Sequence, residues 1–247
     1  MTRFRETLSL PASLTLAVLA AVFVPLPSTV FGDDPVRSLQ GGEPTVLFDG
    51  ESLDRWRGRD DLWQVEDGMI VGRTTDEDPI AQNTFLIYDD PIEGDFELTL
   101  QFKLEGGNSG IQYRSVVLDE EEFVVSGYQA DIDSTNKFAG ILYEEKGRGI
   151  LANRGEFVTI GEDGKKAVEK FANHDELANT IHLGQWNDYR IVARGNQLEH
   201  FINETKMIQL VDNQTDKARK SGVIALQLHR GPAMTAWFKN VTIRQWK

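Results

Sequence analysis

Strict alternation of apolar and polar residues between Asp95 and Leu104 constrains the fold more than any other feature of this sequence. The apolar members are Phe96, Leu98, Leu100, Phe102 and Leu104. Successive side chains of an extended chain point to opposite faces, so a period of two indicates a β-strand with one buried face. The segment therefore predicts a strand that packs on a core.

Shorter segments with the same period lie at 111–114, 128–133, 224–229 and 235–245. Glycine-rich turn signals separate the predicted strands, because glycine adopts positive φ without strain. They are Glu66-Asp67-Gly68, Gly106-Gly107-Asn108, Asp163-Gly164 and Arg194-Gly195-Asn196. Many short strands with such turns predict an all-β sandwich or barrel. Lys165–Asn179 is the one plausible helix, and a hairpin across Asp163-Gly164 is the alternative for its first half.

Composition narrows the classes of function. The 247 residues are 40% hydrophobic, which suffices for a sizeable core, and they include no cysteine. Disulfides, thiol catalysis and cysteine metal sites are therefore excluded. The formal net charge of −13 disfavours nucleic acid and anionic membranes as partners, because like charges repel and no basic stripe offsets them.

The N-terminal segment differs from the rest of the chain. A basic start with Arg3 and Arg5 precedes the apolar run Leu8–Val24, and Pro25 and Pro27 end that run. This pattern predicts a signal peptide at 1–32, a polar linker at 33–43 and a single domain at 44–247. We expect an exported protein, periplasmic or extracellular, with no membrane span in the mature chain. An uncleaved membrane anchor is the alternative.

The polar sides of the predicted strands share an unusual chemistry. They carry Gln112, Arg114, Gln129, Asp131, Asp133, Gln227 and His229. If these strands belong to one sheet, the side chains form one polar surface that offers donors and acceptors to sugar hydroxyls. A plain solvent-facing side is the alternative for each residue. His174, His182 and His200 lie in polar surroundings, which favours solvent exposure for them.

Several motifs occur in the order known from one family. The segments are 46–56, 63–68, 96–115, 127–133, 142–144, 186–189, 222–229 and 238–241. They include Val46-Leu47-Phe48-Asp49-Gly50 and Asn108-Ser109-Gly110-Ile111-Gln112-Tyr113-Arg114-Ser115. The chain thereby resembles the 3-keto-disaccharide hydrolase family, formerly a domain of unknown function. The resemblance implies a concanavalin A-like jelly roll of the lectin/glucanase superfamily: two antiparallel sheets, at most one or two short helices, and a substrate groove on the concave sheet.

The resemblance also implies a chemistry. A ketone at C3 of a sugar acidifies the hydrogen at C2, so a base can remove it and the group at C1 leaves by β-elimination. Strand parity and motif position suggest Arg114 as the partner of the enolate oxygen, Tyr143 as an acid, and His229, Asp131 or Asp133 as the base. The expected substrate-binding residues are Asn108, Gln112, Gln129, Asp133, Glu144, Arg148 and Gln227.

The proposed elimination chemistry also predicts a metal ion in the site and a second enzyme that supplies the substrate. Asp131, Asp133 and His229 are candidate ligands for a divalent cation, either calcium or a transition metal, that assists Arg114. An upstream sugar 3-oxidase would have to supply the 3-keto substrate.

Two other functions compete with this hypothesis. A retaining glucanase needs two carboxyl groups on one strand, whereas this chain has an amide, Gln129, at the first position. A non-catalytic, lectin-like carbohydrate-binding module would use Trp56, Trp63 or Trp186 for stacking, although each of these also suits a core.

Overall fold

The computed structural model describes Met1 and residues 42–246. Residues 2–32 of the predicted signal peptide and residues 33–41 of the predicted linker therefore lie outside the described residues. Between residues 42 and 246 the chain forms eighteen strands and one α-helix. The elements are β1 (Thr45–Val46), β2 (Trp56–Arg57), β3 (Trp63–Glu66), β4 (Met69–Thr74), β5 (Thr84–Tyr88), β6 (Ile92–Glu93), β7 (Asp95–Glu105), β8 (Asn108–Asp119), β9 (Val124–Asp133), β10 (Leu142–Glu145), β11 (Gly149–Ala152), β12 (Glu156–Ile160), β13 (Lys166–Lys170), α1 (His174–Ala178), β14 (Asn187–Arg194), β15 (Gln197–Ile202), β16 (Thr205–Asp212), β17 (Ser221–Leu228) and β18 (Met234–Trp246).

The strands form two sheets that pack face to face. One has the order β13-β12-β16-β15-β14-β7-β18-β4-β3, with β1 paired to β18. The other has the order β11-β10-β9-β8-β17-β5-β2, with β6 paired to β17. Neighbours are antiparallel except β12 and β16, which are parallel. The predicted two-sheet, all-β sandwich is confirmed.

Alternation along the strands fills the core between the sheets. Every second residue of β7 from Phe96 to Leu104 is buried in one apolar cluster, as the period of two predicts. On β9 the same cluster receives Tyr128, Ala130 and Ile132. The opposite side of β9 is therefore directed away from the other sheet. We call the corresponding side of the β11-to-β2 sheet the groove face.

The segment after Asp163 divides into two kinds of structure. β12 and β13 form an antiparallel hairpin with Ile160 opposite Lys166, so the hairpin alternative is correct for the first half. Only His174–Ala178 is helical, and its N-cap Asn173 accepts hydrogen bonds from the backbone N–H groups of residues 175 and 176. No helix in the described part of the chain is long and apolar enough to cross a membrane.

Two tryptophans and one histidine belong to the interior. Trp56 and Trp63 are buried in the main cluster, so they pack in the core and do not stack on a ligand. His200 is fully buried, which overturns the expectation of solvent exposure. Its Nε2 lies 2.9 Å from the hydroxyl of Tyr113, and its Nδ1 lies 3.4 Å from that of Tyr189.

Candidate functional site

A groove of about 830 Å³ lies on the groove face. Its lining combines strand residues of β8, β9 and β10 with the loops before β5, after β9 and after β17. The residues are Gln82, Asn83, Gly107, Asn108, Gln129, Asp131, Asp133, Ser134, Thr135, Phe138, Ile141, Tyr143, Glu145, Lys146, Gly147, Ile150, His229, Arg230 and Pro232. Six of the predicted site residues meet here: Asn108, Gln129, Asp131, Asp133, Tyr143 and His229.

Asp131 is the most perturbed carboxyl group in the groove. It is only 6% exposed, and its Oδ1 accepts a hydrogen bond from Nε2 of Gln129. Burial raises the pKa of Asp131 to about 8, although the Gln129 donor opposes the rise, and the carboxyl groups of Glu145 and Asp133 add to it. A carboxyl group with this pKa carries its proton at neutral pH and can exchange it there.

Glu145 is a second carboxyl group in the groove that the sequence prediction missed. It is 5% exposed, and its Oε1 accepts a 3.2 Å hydrogen bond from the amide of Asn83. Burial raises the pKa of Glu145, while the Asn83 donor and the charges of Lys146 and His229 oppose the rise. Strand parity could have identified this residue, because Glu145 lies two positions after Tyr143 on β10 and so shares its face.

Tyr143 and His229 are two further ionisable residues of the lining. Tyr143 is half-buried, and burial raises the pKa of its hydroxyl, with a further rise from Glu145 and Asp131. His229 follows β17 and is half-buried. Lys146 and Arg230 are exposed at the rim of the groove and supply positive charge there.

Asp133 has a different role from the one expected. Its Oδ2 accepts from the backbone N–H groups of Lys137 at 2.7 Å and Phe138 at 2.9 Å, and from the hydroxyl of Thr135 at 2.8 Å. Its Oδ1 accepts from the N–H of Thr135 at 3.2 Å. Because both oxygens are used to hold the loop after β9, Asp133 shapes the groove wall and has little capacity left for a ligand.

This occupancy bears on the expected metal site. Between residues 42 and 246, no group of three or more histidine and acidic side chains is arranged to hold a metal ion. Asp131, Asp133 and His229 are therefore not arranged as a metal-ligand set, and the predicted metal site at these three residues is not supported. A divalent cation stays a prediction, and no chemical step below depends on it.

Arg114 does not reach the groove, which corrects its expected catalytic role. Its Nη1 donates to the carbonyl of Gly195 at 2.7 Å, and its Nη2 donates to that of Gly94 at 3.1 Å and contacts Asp95 at 3.5 Å. The side chain is 1% exposed and ties the two sheets together.

The physical reason is an irregularity in β8. Its pairing with β9 shifts register between Tyr113 and Val116, and Arg114 has a φ of +48°. Gly222 makes room for the distortion, because a Cβ at that position would lie 2.3 Å from the carbonyl oxygen of Ser115. The shift breaks the alternation on which the prediction for Arg114 depended.

Glu144 and Arg148 also lie outside the groove lining, contrary to expectation. Arg148 Nε donates to Glu144 at 2.7 Å, and its Nη2 donates to Asp212 at 2.7 Å. Asp212 also accepts a 2.6 Å hydrogen bond from the hydroxyl of Tyr128. Glu144 is one position out of phase with Tyr143, so its side chain turns toward the interior. These residues form a structural ion network.

Gln112 and Gln227 lie on the groove face but beneath its surface. Each is fully buried and donates to Oε1 of Gln129, at 2.6 Å and 2.9 Å respectively. They are not among the residues that line the cavity. Of the three glutamines only Gln129 lines the cavity, so the substrate contact expected of Gln112 and Gln227 is not supported by their positions.

An apolar cluster occupies the other part of the groove face. Its members are Phe85, Ile87, Val125, Val223 and Ala225, with Val117 and Phe123 packed against them. Along β17 the face changes from Val223 and Ala225 to Gln227 and then His229. The polar part of the groove face is therefore bordered by this buried cluster, which we call the apolar plug.

Comparison with known proteins identifies the family. A sequence model of the 3-keto-α-glucoside-1,2-lyase-like domain matches residues 43–244. The chain belongs to this family. The search of curated proteins finds no match to this chain.

Solved structures share the fold of this 3-keto-α-glucoside-1,2-lyase-like domain. A candidate glycosyl hydrolase of Parabacteroides distasonis has a TM-score of 0.55 at 18% identity, covering 83% of this chain and 100% of that one. A Bacillus subtilis protein with a galectin-like fold has a TM-score of 0.54 at 9% identity, covering 83% and 96%. The carbohydrate-binding module CBM66 of Bacillus subtilis has a TM-score of 0.51 at 15% identity, covering 77% and 96%. At these identities the similarity establishes the fold alone.

Proposed function

We propose that this protein cleaves the glycosidic bond of 3-keto-glycosides or 3-keto-disaccharides by elimination. The observation that carries the proposal is the pair of buried carboxyl groups, Asp131 and Glu145, in one groove with pKa values raised by different surroundings. Pairs of carboxyl groups whose surroundings separate their pKa values are suited to acid and base roles in one reaction. Membership of the family supplies the substrate class.

The chemistry requires one base and one acid. The base removes the proton at C2, the electrons of that C–H bond form the C1–C2 double bond, and the C1–O bond breaks. The acid gives its proton to the departing oxygen, so the products are an unsaturated 3-keto sugar and the free alcohol. Addition of water across the double bond completes a net hydrolysis.

The groove supports an assignment of these roles. Asp131 holds its proton at neutral pH and is the acid, because the pKa of its carboxyl group is about 8. We assign Glu145 as the base: burial raises its pKa, but the Asn83 donor and the charges of Lys146 and His229 oppose that rise. His229, Lys146 and Arg230 supply donors for the enolate oxygen in the place first given to Arg114.

The direct test is release of the aglycone. The purified protein is incubated with α- and β-linked 3-keto aryl glucosides, 3-keto-trehalose and the matching unoxidised glycosides, with and without EDTA. We expect release from the 3-keto compounds alone, and deuterium at C2 of the hydrated product when the reaction runs in D₂O. Release without C2 exchange would contradict elimination. Loss of activity in EDTA that a divalent cation restores would support the metal prediction.

A variant pair makes the test specific. Asp131→Asn keeps the size of the side chain and removes its exchangeable proton, so we expect kcat/KM to fall about 100-fold or more. Asp163→Asn changes an exposed aspartate in the β12–β13 hairpin and should leave the rate unchanged. Equal rates in both variants would rule out the role of Asp131.

A carbohydrate-binding module is the second candidate, supported by the amide-rich groove and the shared fold with CBM66. Binding of both oxidised and unoxidised glycosides in calorimetry, with no release from either, would favour it. From the N-terminal sequence we also propose that the protein acts outside the cytoplasm. The 3-keto substrate would in turn have to be the product of a sugar 3-oxidase.

A further inference from the structure

Three glutamine side chains lie side by side in the sheet below the groove. Gln129 on β9 is paired directly with Gln112 on β8, and Gln227 lies on β17, the next strand. All three are at most 2% exposed. A sheet face that only needed to exclude water would use apolar residues here, because each buried amide requires hydrogen-bond partners.

The hydrogen bonds give the central amide a single orientation. Oε1 of Gln129 accepts from Nε2 of Gln112 at 2.6 Å and from Nε2 of Gln227 at 2.9 Å. Ser115 holds Gln112 in turn, because its hydroxyl donates to Oε1 of Gln112 at 2.6 Å. If Gln129 alone turned over, its N–H groups would face two other donors. Its Nε2 is therefore directed to Oδ1 of Asp131, and it also donates to Oε1 of Gln227 at 3.4 Å.

The backbone is built to admit this arrangement. A Cβ atom at Gly110 would lie 2.6 Å from Cγ and 2.9 Å from Nε2 of Gln129. Such distances are shorter than van der Waals contact, so only glycine at position 110 leaves Gln129 in place. Gly110 is paired with Asp131 across the strands, which places the gap beside the carboxyl group that Gln129 contacts.

We propose that Gln112 and Gln227 are positioning residues: by donating together to Gln129, they direct its amide to Oδ1 of Asp131 and leave Oδ2 as the oxygen that exchanges a proton with the substrate. Among the described residues no side chain or backbone group donates to Oδ2. The inference rests on the function proposed above, in which Asp131 protonates the leaving oxygen. It adds two residues that touch no substrate.

The test removes both donors without changing the size of the side chains. In the full-length double variant Gln112→Met/Gln227→Met, Gln129 is free to rotate and Asp131 loses its fixed donor. We expect the titration midpoint of the Asp131 carboxyl group to move up by about one pH unit, which is a tenfold change in proton affinity. The midpoint is read from ¹³C NMR of aspartate-labelled protein, with the Asp131 signal assigned by its loss in Asp131→Asn.

Controls separate positioning from damage to the fold. Gln101→Met makes the same change on the outer face of the other sheet, where Gln101 contacts Asp188, and should leave the Asp131 titration unchanged. Gly110→Ala should move the midpoint in the same direction as the double variant, because it displaces Gln129 and keeps all three amides. This variant also serves if the double variant does not fold.

The outcomes distinguish this inference from the proposed function. An unchanged Asp131 midpoint in folded Gln112→Met/Gln227→Met, or in folded Gly110→Ala, would overturn the positioning role even if the wild type cleaves 3-keto-glycosides. A shifted midpoint in a protein that cleaves none of them would uphold the effect on Asp131 and reject the catalytic function. We expect a shifted midpoint together with a matching shift in the pH dependence of kcat/KM.

Discussion

The amide of Asn83 donates a 3.2 Å hydrogen bond to the carboxylate of Glu145 across the groove. Asn83 immediately precedes β5 and Glu145 ends β10, and three strands, β17, β8 and β9, lie between β5 and β10 in the sheet. The bond therefore joins two sides of a strongly curled sheet. Within residues 42–246 it is also the one side-chain hydrogen bond that favours the ionised form of Glu145.

We predict that Asn83→Asp moves the acid limb of the kcat/KM profile to higher pH. Oδ1 of Asn83 accepts a 3.0 Å hydrogen bond from the backbone N–H of Arg230, and the variant keeps an oxygen for it. The variant replaces the amide N–H that donates to Glu145 by an acceptor oxygen. The pKa of Glu145 should rise, so activity at pH 6 should fall more than activity at pH 8. Asn240→Asp, at an exposed position on the other sheet, is the control and should leave the profile unchanged. Equal losses at both pH values would refute the link to Glu145.

Asp131→Asn should make the protein more stable at alkaline pH. The pKa of Asp131 is about 8 in the folded state and 3.8 as the reference for the unfolded chain, so the folded state binds more protons between these values. Stability therefore falls as the pH rises through this window, by about 2 kcal/mol from pH 6 to pH 8.

Asparagine carries no charge at any pH and avoids this loss. Urea unfolding of wild type and Asp131→Asn at pH 6 and pH 8 measures the difference. Parallel changes in the two proteins would show that Asp131 is ionised in the folded state throughout.

Arg148→Met should destabilise the fold and spare the chemistry. It leaves the buried carboxylates of Glu144 and Asp212 without their cation, which costs about 3 to 5 kcal/mol. Lys165→Met removes an exposed ion pair with Asp163, which water already screens, and should leave the free energy of unfolding nearly unchanged. Urea unfolding gives both values. A marked rise of KM in folded Arg148→Met would return Arg148 to the substrate-binding residues.

His200 should make the protein sensitive to acid. Burial lowers the pKa of His200 to about 3, against 6.5 for an exposed imidazole. Only the unfolded state takes up this proton between the two values, so stability falls with falling pH, by about 2 kcal/mol from pH 7 to pH 5. His200→Phe should be less stable at pH 7 but should lack this decline. A decline of the same size in both proteins would place the acid sensitivity elsewhere.

Alternation along single strands carried most of what the sequence could predict. It placed Asp131 and Gln129 on the groove face because that inference needs only a period of two. Applied to every strand, the same rule adds Glu145 to the groove face and removes Glu144 from it. It also places His200 on the buried face of β15, between Leu198 and Ile202. Polar composition and motif membership favoured the other assignments for these residues, and both are weaker guides to the facing of a side chain than parity.

Other features depend on contacts between distant segments. The turn of Arg114 away from the groove follows from the register shift in β8 and from space at Gly222, which is far away in the sequence. The hydrogen bonds that occupy the carboxylate oxygens of Asp133 follow from the path of the loop at 134–138. Neither can be read from one strand, because each depends on which backbone groups another segment brings close.

The apolar plug gives the groove a direction. On one side of the polar residues, Phe85, Val125 and Val223 are buried, with Val117 and Phe123 packed against them, so no polar groove continues there to offer partners for sugar hydroxyl groups. If the protein cleaves glycosides as proposed, we expect a chain terminus to reach Asp131 from the side away from the apolar plug. Short oligosaccharides and small glycosides should then outcompete the interior of a polymer.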